Sequence, residues 1–332
     1  MTVAVVGATG AVGGEFLRLF EERGFPVGEL RLLASARSAG KTLSFRGEEI
    51  PVTEAKPSAF EGVDVAFFSA GAGRSHALVP AALDAGALVI DNSSAFRMEP
   101  TVPLVVPEVN GDRIGDARLI SVPNCTAIIL CMAVHPLRSL GKISRLVVST
   151  YQSASGAGAA VMRLLEDETR AVLTGAPMPE SHLSEPYAFN LFSHNTPINE
   201  EGANEEEAKV MDETRKILGM PELGLNVTCV RVPVLRAHTE SVTVEFEGDA
   251  PDLADVIAAY ENSPGLRLVD DRAANDFPTP AKASGQGDVL VGRIRHDPSS
   301  DSGLCLLIAG DQLLKGAALN AVQIAEAVLA KE

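Results

Sequence analysis

Tryptophan is absent from this 332-residue chain, and tyrosine occurs only three times. Cysteine is scarce too: Cys125, Cys131, Cys229 and Cys305 form neither a Cys-x-x-Cys pair nor a Cys/His zinc spacing. Four such thiols in a long chain are no disulfide framework, and they read as free cysteines in a reducing cytoplasm, with no metal site. Positive charge is in deficit, since 28 Lys and Arg against 44 Asp and Glu leave a net charge of -16. Such a surface repels nucleic acid and anionic lipid, so an anionic ligand must be held by a few locally placed cations. No apolar run is long enough to cross a bilayer, and Met1-Thr2-Val3-Ala4-Val5-Val6 lacks the basic region of an export signal. Repeats and low-complexity tracts are missing as well. What is present is a chain that is 46% hydrophobic, long enough for two domains with substantial cores.

Short apolar runs alternate with helical patterns through the first third. Val3 to Val6 ends in Gly7-Ala8-Thr9-Gly10-Ala11-Val12-Gly13, and Phe16, Leu17 and Phe20 follow at helical spacing. Further strands are expected at 30–34, 63–69, 88–91, 104–106 and 119–122, with a helix at 79–85. Alternating β and α elements imply a doubly wound, Rossmann-like α/β domain with a mainly parallel sheet. Beyond residue 126 longer helices, expected at 159–173 and 203–218, accompany alternating strands such as Ser241-Val242-Thr243-Val244-Glu245-Phe246. That texture implies a second, α+β domain. A last helix, 316–331, carries Ala318, Val322, Ala325 and Leu329 on one face and is expected to pack on the first domain.

Glycines between a strand and a helix let backbone N–H groups approach a pyrophosphate. Gly7, Thr9, Gly10, Ala11, Val12 and Gly13 are therefore the candidate dinucleotide loop, although a tight turn without ligand has the same string. After the second strand comes Ser35-Ala36-Arg37-Ser38-Ala39-Gly40-Lys41, which has hydroxyls and cations but no carboxylate. Ser35, Arg37 and Ser38 suit a 2′-phosphate, so NADP(H) is expected over NAD(H); a basic surface loop would look alike.

Ser121-Val122-Pro123-Asn124-Cys125-Thr126 ends an apolar run and opens an apolar helical pattern at 127–137. Cys125 thus falls at a helix start, where backbone N–H groups and the helix dipole favour the nucleophilic thiolate. By residue type alone a buried structural cysteine is the favoured reading, and only its surroundings can reverse it. A tyrosine-based dehydrogenase is disfavoured, because the residues four after Tyr151, Tyr187 and Tyr260 are Ser155, Leu191 and Pro264 rather than lysine. A cysteine thioester that exchanges hydride with a nicotinamide remains, and it needs an acid/base. Among the histidines, His76, His135, His182, His194 and His296 read as structural or solvated. His238, in Arg231-Val232-Pro233-Val234-Leu235-Arg236-Ala237-His238, stands apart.

Those motifs, with Asp91-Asn92-Ser93-Ser94-Ala95-Phe96-Arg97-Met98 and Gln152-Ser153-Ala154-Ser155-Gly156-Ala157-Gly158, occur in an order that resembles the aspartate-β-semialdehyde dehydrogenase family, shorter bacterial type, over nearly the whole chain. The resemblance implies NADPH-dependent reduction of L-aspartyl 4-phosphate to aspartate semialdehyde with release of phosphate. It implies a homodimer or dimer of dimers, an NADP-binding domain of 1–126 with 312–332, and a catalytic and dimerisation domain of 127–311. Cys125 would be the nucleophile, His238 the acid/base, and Gln152 the residue that orients substrate. Arg231 would take the α-carboxylate, Arg97 and Lys209 the phosphate, and Glu206 the ammonium, with Asn124 beside them. On residues alone, Glu206 and Lys209 read as a solvated helix face. Ser155, Gly156 and Gln312 would lie near the nicotinamide. Gln312 stands where the family more often has Asn, and Phe192-Ser193-His194 where it often has Ile-Pro-His.

N-acetyl-γ-glutamyl-phosphate reductase is the nearest enzyme alternative, but its nucleophile usually sits in Gly-Cys-Tyr rather than Asn124-Cys125-Thr126. A non-catalytic NADPH sensor is the alternative of another class, and it has no use for Cys125, Arg231 and His238 together. Arg231 and His238 are seven positions apart, which puts them on opposite faces of a straight strand. A shared site therefore requires irregular backbone near 233–237, where Pro233 cannot join a central ladder.

Overall fold

Computed as a structural model, the structure describes residues 1–181 and 183–331, so His182 and Glu332 lie outside the described residues. It divides into two compact units, Met1–Asn124 with the segment from Gly316, and Cys125–Lys315.

Among the described residues the first unit holds a seven-stranded sheet in the order β3-β4-β2-β1-β5-β6-β7. Its strands are β1 (Thr2–Val6), β2 (Glu29–Ala34), β3 (Thr42–Phe45), β4 (Glu48–Glu54), β5 (Val65–Phe68), β6 (Leu88–Asp91) and β7 (Leu119–Ser121). β1 pairs in parallel with β2 on one side and β5 on the other. The order reverses there, and ligands of open α/β sheets bind outside strand ends at such a switch point. Helix α1 (Ala11–Glu22) buries Phe16 and Phe20 against Phe67 of β5, with ring centroids 4.9 and 5.2 Å apart. Each buried ring adds about 1.5–3 kcal/mol through lost apolar exposure. The sheet also carries α2 (Ala72–Asp84), and α3 (Pro107–Asn110) follows β6.

Two expectations for this unit need correction. Residues 104–106 form no strand of their own; Leu104 makes a single bridge to Ser121, between the helix-opening Pro107 and Pro103, which has no N–H to donate. The antiparallel hairpin of β3 and β4 has no counterpart among the expected strands, because its residues are polar and mostly exposed.

The second unit is an α+β layer whose sheet runs β12-β13-β14-β11-β8-β10-β9. It opens with α4 (Cys125–Val134) and continues with β8 (Ile143–Gln152), α5 (Ala159–Thr174), β9 (Phe192–Ser193), α6 (Glu205–Leu218), β10 (Gly224–Arg231) and β11 (His238–Phe246). α7 (Leu253–Glu261), β12 (Leu266–Leu268), α8 (Pro280–Ala283), β13 (Val289–His296) and β14 (Gly303–Gly310) complete it. Helix α4 is apolar on every side, and every residue from Thr126 to Val134 is buried. Its α-helical part stops before Pro136, which opens a 3-10 turn over His135–Ser139. Helix α6 starts in a capping box, with the Asn204 side chain accepting from Glu207 N and the Glu207 carboxylate accepting from Asn204 N, both at 2.9 Å.

The chain ends in α9 (Leu319–Leu329), preceded by a π-helical turn over Leu314–Ala318. α9 returns to the first unit, where Asn320 donates to Val105 O and Arg23 pairs with Glu326.

Gly7 sits between β1 and α1 with φ +92°, and a Cβ there would fall 2.2 Å from Ser69 O. Gly7→Ala is expected to lower stability by about 2 kcal/mol or more through combined strain and overpacking, read as a lower urea midpoint.

Candidate active site

The sheet of the second unit gathers distant residues by register. β8 pairs in parallel with β10, setting Gln152 opposite Arg231, and antiparallel with β11, setting Tyr151 opposite Thr239. Gln152 and Arg231 end their strands and His238 begins its own, so all three meet at one edge. Between β10 and β11, residues 232–237 leave the ladder: Val234 N donates back to Val232 O, and Ala237 has φ +72°. The irregular backbone required at 233–237 is present. Asp311 fixes this turn by accepting from Arg236 Nε at 2.6 Å and from Gly285 N at 2.7 Å.

Cys125 begins α4 at the same place. Its Sγ lies 3.5 Å from His238 Nε2, and it is partly exposed, whereas Cys131, Cys229 and Cys305 are buried. Burial pushes the Cys131 and Cys229 thiols far above their usual range. Helix-start placement and an adjacent imidazole give Cys125 the reactive surroundings that the other three lack.

The fully buried Gln152 donates from Nε2 to Thr126 Oγ1 at 2.6 Å and to Glu206 Oε1 at 3.1 Å. Its Oε1 has no partner among the described residues. Arg231 donates to Ser153 O at 3.2 Å and to His194 Nε2 at 2.7 Å. Both of these acceptors are neutral groups. Glu206 is buried on α6, while half-buried Lys209 lies 3.4 Å from Glu205. The two residues share helix α6. Gly156 is exposed, and a Cβ there would stand 3.0 Å from Arg231 Nη1 and from His238 Nε2. Glycine keeps that approach clear.

His194 takes the structural rather than the solvated of its two expected placements. It is buried against Arg231, because the loop from β9 joins the edge of β10 and His194 N donates to Cys229 O. No local pattern around residue 194 signals this contact; it depends on the pairing of β9. Thr126 and Ser153 were also missed as partners. Of the remaining histidines, His76 packs edge-on against Phe96 and His296 bonds Pro251 O.

Ser155 and Gln312, expected beside a nicotinamide, are buried and bonded to each other, Gln312 Nε2 donating to Ser155 Oγ. Arg97 and Asn124 belong to the first unit. Arg97 is held by Val122 O at 2.9 Å and Asn92 O at 2.8 Å, in a loop tied down by buried Asp91, which accepts from Ser75 Oγ, Ser93 N and Ser93 Oγ.

The loop after β1 fits a dinucleotide. Thr9 and Gly10 are exposed, Ala11 and Val12 half-buried, and α1 has no acidic residue in its first turn. Added Cβ atoms at Gly7 and Gly13 would strike backbone oxygens 2.2 and 2.4 Å away, so this tight cradle admits only glycine. Beyond β2, Ser35 is half-buried, Arg37 and Lys41 are exposed and Ser38 is buried. A carboxylate does stand at this end of the sheet, Glu54 at the end of β4 opposite Ala34, but it pairs with Lys56 at 2.8 Å. No group of three or more His, Cys, Asp or Glu among the described residues could hold a metal, and no described helix is long and apolar enough to cross a membrane.

Comparison with known proteins places these features in one family. A family model described as semialdehyde dehydrogenase, NAD binding domain, matches residues 2–117, and one described as semialdehyde dehydrogenase, dimerisation domain, matches residues 134–315. The aspartate-semialdehyde dehydrogenase of Synechocystis is 52% identical over 98% of this chain and 96% of its own. The chain belongs to the aspartate-semialdehyde dehydrogenase family. Aspartate-semialdehyde dehydrogenase II of Vibrio cholerae, solved as a complex with ASA, superposes with a TM-score of 0.95 at 42% identity, over 99% of this chain and 98% of that one. The Candida albicans enzyme, solved with NADP, gives 0.77 at 26% identity over 99% and 98%. Members of this family are oxidoreductases that use a nicotinamide dinucleotide, and the α/β first domain and α+β second domain follow the expected class.

Two buried imidazoles give a semialdehyde dehydrogenase of this kind a distinct acid response. Burial and then Arg231 push His194 down to about 4 and His238 down to about 3 from the ordinary 6.5. Below pH 6.5 the unfolded chain binds protons that the folded chain refuses, so stability is full above 6.5 and lost as pH falls toward 4, by about 1.4 kcal/mol per pH unit for each ring. His194→Gln keeps an acceptor for Arg231 and should flatten the urea midpoint between pH 6.5 and 4.5; an undiminished slope would contradict the assignment.

Proposed function

We propose that the protein reduces L-aspartyl 4-phosphate to L-aspartate 4-semialdehyde with NADPH, releasing phosphate, through a thioester on Cys125. The observation that carries this reading is the accessible Cys125 thiol at the start of α4, 3.5 Å from His238 Nε2, beside an arginine with neutral partners. The Cys125 thiolate attacks the acyl carbon, the C–S bond forms, and phosphate leaves with the electrons of the C–O bond. Bound NADPH supplies a hydride to the thioester carbon. The tetrahedral oxyanion, steadied by the N–H of His238 as the acid/base of the site, then collapses, breaking the C–S bond, freeing the aldehyde and returning the thiolate. Backbone N–H groups around Asn124–Thr126 stabilise the oxyanion.

Arg231 takes the α-carboxylate in a forked, charge-assisted contact, and Glu206, held by Gln152, faces the ammonium. Arg97 and Lys209 hold the phosphate. Gln152 orients substrate indirectly, by tying Thr126 beside the nucleophile to Glu206. Gly7, Thr9, Gly10, Ala11, Val12 and Gly13 cradle the pyrophosphate, and Ser35, Arg37 and Ser38 favour the 2′-phosphate of NADPH. The protein works as a homodimer or dimer of dimers. Support comes from the dimerisation-domain match and from exposed Val172, Leu173 and Leu235, the latter two lining a groove with Leu165 and Pro233. Free cysteines suit a reducing cytoplasm.

An assay of NADP⁺ reduction by aspartate semialdehyde is expected to require phosphate and to reject the N-acetylglutamate analogue. Cys125→Ala should lower kcat by about a thousandfold or more while sparing NADPH binding; phosphate-dependent oxidation by that variant would refute the thioester. Arg37→Ala should raise the KM for NADPH by about tenfold, the worth of one charge-assisted contact, and leave that for NADH unchanged.

A further inference from the structure

His238 is held from behind as well as from the front. Its Nδ1 receives the backbone N–H of Ser153 at 3.0 Å and lies 3.0 Å from the Ser153 hydroxyl. A backbone N–H only donates, so Nδ1 carries the lone pair and the ring proton sits on Nε2, the atom that faces Cys125 Sγ. Behind Ser153 the polarity continues. Ala237 N donates to Gln312 Oε1 at 2.9 Å, which fixes the amide orientation and leaves Gln312 Nε2 to donate to Ser155 Oγ. Having accepted there, Ser155 offers its proton to Ser153 Oγ at 3.0 Å, and Ser153 offers its own to Nδ1. Two backbone N–H groups therefore set the direction of the whole chain, and its members are almost fully buried.

We propose that Ser153 is a positioning residue which, with Ser155 and Gln312 behind it, locks His238 in the Nε2–H tautomer and aims that N–H at the sulfur of Cys125. The proposal rests on Cys125 being the nucleophile. It makes the resting imidazole a neutral hydrogen-bond donor to a thiolate, the thiol proton having gone to water. It also gives Ser155 and Gln312 work to do before any dinucleotide binds. The neutral ring agrees with the strongly lowered pKa of His238. The charged or titratable groups facing the pair are Arg231 on β10, Glu206 and Lys209 on α6, and His194 after β9. None of them is altered in the test.

The test is the pH profile of Cys125 alkylation by iodoacetamide in the full-length enzyme without dinucleotide, read by mass on the Cys125 peptide and paired with steady-state kinetics. Ser153→Ala should raise the alkylation midpoint by about half a pH unit or more and lower kcat about five- to tenfold, the worth of one net hydrogen bond. The KM for NADPH should stay within about twofold on the same argument. Ser153→Thr should restore both, and Ser155→Ala should move them less, in the same direction. An unmoved alkylation profile, or a change confined to the dinucleotide KM, overturns the proposal. Should Ser153→Ala fail to fold, ¹⁵N NMR of the unmodified protein decides: a proton on Nδ1 of His238 refutes it. If Cys125 is not the nucleophile, fully alkylated enzyme still turns over, an outcome separate from any of these.

Discussion

The site depends on the double pairing of one strand. β8 is flanked by parallel β10 and antiparallel β11, so two strand ends and one strand start, carrying Gln152, Arg231 and His238, fall at a single sheet edge. Parallel and antiparallel neighbours run opposite ways along the same strand, and a chain that enters β11 where it leaves β10 must turn within a few residues. The six residues of that turn, with Ala237 at positive φ and Asp311 bracing Arg236, bring His238 to the sulfur. Cys125 is 113 positions away in sequence and arrives as the first residue of α4, which is buried from Thr126 onward.

Charge at this edge is arranged by burial rather than by ion pairing. Arg231 meets neutral acceptors, and its positive field, added to desolvation, keeps both neighbouring imidazoles uncharged at neutral pH. Glu206 accepts from the Gln152 amide, and Lys209 lies 3.4 Å from Glu205. Such a site brings one guanidinium and one carboxylate to the same place as the sulfur of Cys125 and the imidazole of His238.

The dinucleotide loop is organised differently. Everything it needs is local: a strand, three glycines and a helix start, packed by Phe16 and Phe20 against Phe67. Neighbouring strands meet it through backbone: Gly7 N and Ala8 N donate to Leu33 O, and Ser69 lies so near Gly7 that no side chain fits. Arg97 shows the same economy, its guanidinium pinned by carbonyls of its own loop and of Val122, with Asp91 closing the turn before it.

The amino-acid order alone determined the elements whose signals are short-range. The glycine loop, the apolar start of α4 behind Cys125, the helical stretch of α6 and the break around Pro233 are all written in spacing, turn chemistry or period. The β3–β4 hairpin escaped because its exposed polar residues carry no period to read, and 104–106 misled because an apolar run resembles a strand whether or not it finds partners. Only the tertiary structure decided that His194 belongs beside Arg231, that Gln152 grips Thr126 and Glu206, and that Ser153 stands behind His238. Those contacts join residues tens of positions apart, and strand register sets them; side-chain chemistry along the chain constrains what each residue can bond but not which distant neighbour it will meet.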